Sequence, residues 1–168
     1  MEAQFPGLAA EVNDAYPVKA DADIAAAMLA LGRDTTFSLE MRTWARMVTA
    51  AGQKAYLYQF THVPPGPESK YRGAYHASEI QYVFGNLRNP QFDYTDADRR
   101  LSDAMAGYWI NFARTGDPNG KGLPAWAPFD AADEPYLELG TPIRPKNHLL
   151  KAHLDFLERA QQRRAGTR

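Results

Sequence analysis

The segment at positions 54–60, Lys-Ala-Tyr-Leu-Tyr-Gln-Phe, limits what this chain can fold into more than any other feature. It is aromatic and nearly apolar throughout, which predicts a strand covered on both faces, as in parallel sheets. Only one further strand is evident, at Pro135–Leu139, among several helical patterns. Because an isolated pair of strands is marginally stable, the pattern predicts an α/β protein that is mostly helical, with two or so strands here and most of its sheet elsewhere.

The composition fits one folded domain and excludes several classes of protein. The 168 residues are 23% charged and 45% hydrophobic, with a net charge of -1 and no cysteine. This balance gives no bulk attraction to nucleic acid or to an anionic membrane, and it leaves no disulfide or thiolate metal site. The first twelve residues do not resemble a signal peptide, and no apolar run approaches the ~20 residues that a bilayer requires. Localisation therefore stays open between the cytoplasm and export.

Apolar periodicity and capping signals predict the helices. They fall at 21–31, at 37–51, as a short turn at 78–84, and from a capping box at Thr95–Asp98 to about Arg114. A terminal unit at 141–168 contains an amphipathic helix from 146 to 164. Gly32 and Gly52 are the expected stops of the first two helices. The second helix has an apolar face of Phe37, Met41, Trp44 and Val48, and the long helix one of Leu101, Met105, Tyr108, Trp109 and Phe112.

Four histidines are the main candidates for chemistry. His62 is interpreted as an ordinary loop residue, and His148 and His153 as solvated helix residues, because no metal-ligand spacing connects them. His76 follows a proline-rich loop beyond the aromatic strand. An α/β-hydrolase places its general base on a loop at this end of a strand. The residues alone favour an ordinary loop histidine at His76, and the catalytic interpretation stays open beside it.

Six segments, taken in order, resemble the C-terminal part of type-B carboxylesterases, the α/β-hydrolase family of para-nitrobenzyl esterases and cholinesterases. The resemblance runs from about Tyr16 to Leu139, and the stretch from Thr141 is not anchored to it. The histidine-bearing segment, Gly73 to Asn86, is the most specific part. The other segments are 31–37, 56–60, 112–119, 126–130 and 136–140.

The resemblance implies that the family's complete domain hydrolyses carboxylic esters through an acyl-serine intermediate, with His76 as the general base and then acid. It implies no cofactor and no metal. The partners would be a small ester substrate and the N-terminal remainder of the esterase. Glu79 is interpreted as a buried structural carboxylate that pairs with an arginine and supports the histidine loop. The candidate arginines are Arg42, Arg46 and Arg72, and the candidate pocket residues are Tyr82 and Phe84, for which core packing is the alternative.

The chain carries no nucleophile of the expected type. None of its four serines has a glycine two residues before and two after it, and no acid motif precedes His76. We therefore expect this segment alone to be inactive. Two other functions stay open: a non-catalytic, cholinesterase-like binding or adhesion segment, and a self-associating helical module. We also expect self-association, because an aromatic strand and apolar helix faces lose their cover in so short a chain.

Overall fold

The computed structural model describes residues 5–166. The helices of this range are α1 (Ala9–Ala15), α2 (Asp21–Arg33), α3 (Leu39–Ala50), α4 (Ser69–Arg72), α5 (Ile80–Val83), α6 (Asp96–Thr115) and α7 (Lys151–Gly166). The strands are β1 (Leu57–Phe60), β2 (Pro135–Leu139) and β3 (Arg144–Asn147).

The three strands form one mixed sheet in the order β1-β2-β3. β1 runs parallel to β2, with Leu57 opposite Tyr136, and β2 runs antiparallel to β3. The sequence predicted two strands, and it missed β3 because all four residues of that strand are exposed and show no apolar alternation. Pro145 is tolerated there because β3 is an edge strand. The terminal helix consequently begins at Lys151 rather than at 146, and the unit at 141–168 is not helical throughout.

A π-helical turn, Asp34–Ser38, joins α2 to α3 in one continuous helical segment. The prediction that Gly32 ends the first helix is therefore wrong, since Gly32 lies inside α2. The reason is tertiary: the Asp34 carboxylate in the turn is fully buried and receives hydrogen bonds from distant elements. Gly52 follows the end of α3 with a φ of 77°, as a helix stop does.

The long helix α6 begins at the predicted capping box. Asp98 Oδ2 accepts a 2.8 Å hydrogen bond from the Thr95 backbone, and Thr95 Oγ1 accepts one of 3.4 Å from the Asp98 backbone. The buried residues of α6 include Leu101, Met105 and Tyr108 of the predicted apolar face, whereas Trp109 is partly buried and Phe112 is 48% exposed.

The core has two parts. One packs α1, α2 and α7 together through Phe5, Leu8, Val12, Tyr16, Ala27, Leu31, Leu39, Leu154, Phe156, Leu157 and Ala160. The other packs α5 and α6 against the sheet through Tyr82, Leu101, Met105, Tyr108, Trp126, Leu137 and Leu139. Trp126 also donates a 3.0 Å hydrogen bond from Nε1 to the carbonyl of Leu57, which ties the loop after α6 to β1.

The predicted apolar face of α3 lies on the surface, and Trp44 on it is 63% exposed. The buried face instead carries Arg42, which donates 2.8 Å hydrogen bonds to Glu134 and to Asp155. Arg46 binds Glu134 and Glu158 as well. These five side chains, the Arg42 cluster, hold α3, α7 and the residue before β2 together.

Candidate active site around His76

The candidate base lies on the connection that follows β1. This connection runs from Thr61 through α4 and Gly73 to His76, and α5 begins four residues after the histidine. β1 and β2 are parallel, and the carboxyl ends of parallel strands are the usual side of an α/β sheet for ligand binding and catalysis. The connection therefore leaves the sheet at the end where such a site is expected.

The backbone at His76 is held by a tight turn. The carbonyl oxygen of Tyr75 accepts a 2.6 Å hydrogen bond from Ser78 Oγ and a 3.1 Å one from the Ser78 backbone. Between them, Ala77 has a φ of 67°, a left-handed conformation that residues other than glycine seldom adopt. Unfavourable backbone geometry of this kind collects at functional sites, where the surrounding structure fixes it. The turn thus sets the direction in which His76 leaves the chain.

The imidazole of His76 is exposed and stacks on Phe37. The two ring centroids are 4.5 Å apart and the ring planes differ by 21°. Within residues 5–166, neither ring nitrogen of His76 has a hydrogen-bond partner. Both nitrogens are therefore open to groups outside the described range, which a triad histidine requires. Sequence reasoning missed Phe37 as the contact, because nothing in the sequence pairs the two residues.

His62 is not the ordinary loop residue that the sequence predicted. Its Nε2 lies 2.7 Å from Oδ1 of the buried Asp98, and its Nδ1 lies 2.9 Å from Oγ1 of Thr141. The Tyr82 hydroxyl donates a 2.7 Å hydrogen bond to the same Asp98 oxygen. Because both ring nitrogens are occupied, His62 has none free to take a proton from a nucleophile. A His–Asp pair is present here, but its geometry is that of a structural link.

Asp98 is strongly held in its ionised form. Burial opposes its ionisation, but hydrogen bonds from Thr95, Tyr82 and His62 more than offset that effect and lower the pKa of Asp98 to about 2. Burial, followed by the hydrogen bond to this carboxylate, raises the pKa of Tyr82. Tyr82 therefore belongs to the core and to this hydrogen-bond network.

The structure also corrects the prediction that His148 and His153 are solvated helix residues. His153 lies on α7, but its Nδ1 is 2.7 Å from Oδ2 of Asp34 and its ring contacts Tyr16 with centroids 4.5 Å apart. It is a linking residue rather than a solvated one. His148 is exposed but precedes α7, in a turn where its φ is 57°.

Glu79 is half-buried and forms no ion pair with an arginine within the described range. The three candidate partners bind elsewhere: Arg42 and Arg46 bind Glu134, and Arg72 binds Glu68. The expected pairing is therefore wrong, because the arginines of α3 face α7 and β2. Support of the histidine loop by Glu79 stays a prediction.

An open depression of about 460 Å³ lies beside the histidine turn, and Phe84 lines it together with Tyr75 and Gln81. Phe84 is 78% exposed, whereas Tyr82 is fully buried and does not line the depression. Of the two predicted pocket residues, the structure places only Phe84 at a surface that a ligand could reach.

The four serine hydroxyls are all engaged as donors. Ser38 donates to Asp34, and Ser69 donates to the carbonyls of Pro64 and Gly66. Ser78 donates to the carbonyl of Tyr75, and Ser102 to that of Tyr82.

Across residues 5–166, no group of three or more acidic or histidine side chains is arranged to hold a metal ion. No helix in that range has the length and hydropathy of a membrane span.

The family model and the similar proteins indicate the same family for this chain. A model of the carboxylesterase family matches residues 4–157, so the match continues past Thr141, where the sequence resemblance had no anchor. Carboxylesterase 4A of Bos taurus is 37% identical over 134 residues, which cover 79% of this chain and 24% of that protein. Bile salt-activated lipase of Mus musculus is 39% identical over 114 residues, or 64% of this chain and 19% of that protein.

Solved structures agree on the fold. The crystal structure of the Geobacillus stearothermophilus carboxylesterase EST55 at pH 6.2 superimposes with a TM-score of 0.77 at 23% identity, covering 92% of this chain and 33% of that chain. PNB esterase gives a TM-score of 0.73 at 25% identity, covering 93% and 31%. The chain is thus part of an α/β-hydrolase fold, and it spans between 12% and 27% of the length of these curated relatives.

Proposed function

This chain belongs to the carboxylesterase family, and from that premise we propose that it supplies the general base, His76, of a serine carboxylesterase. The complete enzyme hydrolyses carboxylic esters through an acyl-serine intermediate. The nucleophilic serine and the triad acid come from the part of the family's length that this chain does not span. The segment by itself is inactive.

The availability of the His76 ring is the observation that carries this proposal. A triad histidine needs one nitrogen for the carboxylate that orients it and the other for the serine hydroxyl. His62 uses both ring nitrogens, and His153, on α7, uses Nδ1 to bind Asp34. His148 is exposed, but it follows the end of β3 that lies beside the start of β2. His76 has an exposed ring on a tightly tied turn, with both nitrogens free of partners within residues 5–166.

The proposed chemistry needs one proton to move back and forth at His76. As the serine oxygen attacks the ester carbonyl, a ring nitrogen of His76 takes the hydroxyl proton. The same nitrogen then gives the proton to the departing alcohol. In the second half, it takes a proton from water, which attacks the acyl-serine, and it returns that proton to the serine.

Two further observations support a partner segment and an ester substrate. An apolar surface formed by Phe37 of the π-helical turn with Met41 and Trp44 of α3 is exposed, as expected of a surface that the N-terminal remainder of the esterase covers. The depression lined by Tyr75 and Phe84 offers apolar and hydroxyl groups for a small ester. The relatives' names, carboxylesterase and bile salt-activated lipase, indicate the same class of substrate.

The test is the substitution His76→Ala in the complete esterase that contains this segment. We expect kcat for a para-nitrophenyl ester to fall on the order of 10⁴-fold, with unchanged thermal stability, because a triad member is lost. His148→Ala is the matched control, since His148 is also exposed, and it should keep near-normal activity. If His76→Ala kept near-normal activity, His76 would not be the base and a non-catalytic binding role for the segment would be favoured.

A further inference from the structure

Phe37 is the aromatic side chain that contacts the candidate base. Its ring lies parallel to the His76 imidazole at a centroid distance of 4.5 Å. Phe37 is 42% exposed and belongs to neither part of the core. The contact joins two parts of the chain, the α2–α3 segment and the connection after β1.

The backbone that carries Phe37 is a π-helical turn, Asp34–Ser38. Such a turn contains one more residue than an α-helical turn, and it rotates the side chains that follow by roughly 100° relative to those before it. The direction in which Phe37 leaves the helix therefore depends on this turn. Turns of this kind are frequent at functional sites.

Asp34, at the start of the turn, is held by four other side chains. Its buried carboxylate accepts hydrogen bonds from Arg33 Nε at 2.7 Å and from the Tyr16 hydroxyl at 3.2 Å. Nδ1 of His153, on α7, lies 2.7 Å away, and Ser38 Oγ donates a 3.3 Å bond from the end of the turn. We call these five side chains the Asp34 cluster.

We propose that Phe37 is a positioning residue for His76 and that the Asp34 cluster fixes the turn from which Phe37 reaches it. The inference rests on the proposed function of His76 as the general base. A general base must be held within about 0.5 Å of its productive position. Within the described range no hydrogen bond holds the His76 ring, so the flat contact with Phe37 is what restricts its rotation.

The first experiment uses the 168-residue chain and measures the ring-proton chemical shifts of its histidines by NMR, with His76→Ala to assign the resonance. Phe37→Leu should move the His76 signals toward those of His148, because the ring current of Phe37 is lost. Phe37→Tyr should keep them near their original position. Asp34→Asn should shift or broaden them, because the turn loses its anchor.

The control in that experiment is Tyr71→Leu, which removes an aromatic ring that is 80% exposed and contacts no histidine. It should leave the His76 signals unchanged. The inference is overturned if Phe37→Leu leaves these signals in place in a chain whose circular dichroism is unaltered. It is equally overturned if Tyr71→Leu moves them as far as Phe37→Leu does.

The second experiment measures kinetics in the complete esterase. Phe37→Leu should lower kcat about tenfold to a hundredfold with little change in KM, since a small misplacement of the base has an effect of this order. Phe37→Tyr, which keeps an aromatic ring at this position, should retain most of the kcat of the unsubstituted enzyme. If Phe37→Leu kept full kcat while His76→Ala abolished it, the positioning role would fail and the proposed base would stand. If His76→Ala kept activity, the proposed function would fail whatever the NMR result for Phe37.

Discussion

Substitution of Arg42 should destabilise the chain strongly, although its ion-pair partners, Glu134, Asp155 and Glu158, do not include the candidate base. The guanidinium is 3% exposed and lies 2.8 Å from Glu134, 2.8 Å from Asp155 and 3.6 Å from Glu158. Removing one partner of a buried ion pair typically costs about 3–5 kcal/mol, because the other charge stays buried without compensation. Arg42→Ala therefore leaves three carboxylates with weakened compensation.

Two features of the cluster reduce this expected loss. Arg46 still binds Glu134 and Glu158 after the substitution, and the side chains of Asp155 and Glu158 retain 29% and 24% exposure to water. We expect the free energy of unfolding to fall by about 2–4 kcal/mol, a large part of the roughly 5–15 kcal/mol typical of a folded domain. With a urea m-value of roughly 2 kcal/mol/M, the unfolding midpoint should fall by about 1–2 M.

The assay is urea unfolding of the 168-residue chain, followed by far-UV circular dichroism. Arg72→Ala is the matched control, since Arg72 pairs with Glu68 on the surface with 59% and 61% side-chain exposure. Its effect should stay within about 0.5 kcal/mol. A loss below about 1 kcal/mol for Arg42→Ala, or equal losses for the two variants, would refute the argument that the Arg42 cluster locks α7 onto α3.

Three other outcomes are expected of the 168-residue chain. A fluorophosphonate probe should not label it, because the four serine hydroxyls donate to Asp34 or to backbone carbonyls and none donates to a histidine base; labelling that a single serine substitution removes would contradict this. The pKa of Asp98 is depressed from 3.8 to about 2, so the stability it contributes is present above about pH 3.8 and is lost as the pH falls toward 2. Acid unfolding should show this loss of about 2 kcal/mol, and Asp98→Asn should remove it. Sedimentation at micromolar concentration should detect self-association through the exposed face of α3 and the free edge of β1, whereas a stable monomer would exclude it.

Local signals predicted those elements whose causes are local. The capping box at Thr95 begins α6 because its bonds span only three residues. The aromatic run at 54–60 contains β1, which pairs in parallel with β2. All four residues of β1 are only partly buried, so the predicted cover on both faces is incomplete within residues 5–166. The resemblance placed the chain in its fold because it depends on the order of several segments rather than on any single one.

The errors occur where a distant partner decides the local structure. Gly32 looked like a helix stop, but the Asp34 cluster draws the chain into a π-helical turn and the helix continues. His153 looked solvated because its partner, Asp34, lies 119 residues earlier in the sequence. β3 has no apolar alternation, since its four residues are exposed and it is held by backbone pairing with β2 and by the ion pair of Lys146 with Glu138. In each case the deciding contact is tertiary, and no window of neighbouring residues contains it.

The histidines show why residue type alone does not identify a base. Two of the four lie against buried aspartates, His62 at Asp98 and His153 at Asp34, and a search for His–Asp pairs would select these two. Yet His62 has used both ring nitrogens, and His153, which binds Asp34 through Nδ1, lies on α7 rather than on a connection that leaves the carboxyl end of β1 or β2. We therefore expect the base to be a histidine with free ring nitrogens on a connection that leaves the carboxyl ends of the parallel strands. His148 has an exposed ring, but it follows the end of β3 that lies beside the start of β2. His76 lies on the connection after β1, at the turn that Tyr75 and Ser78 close.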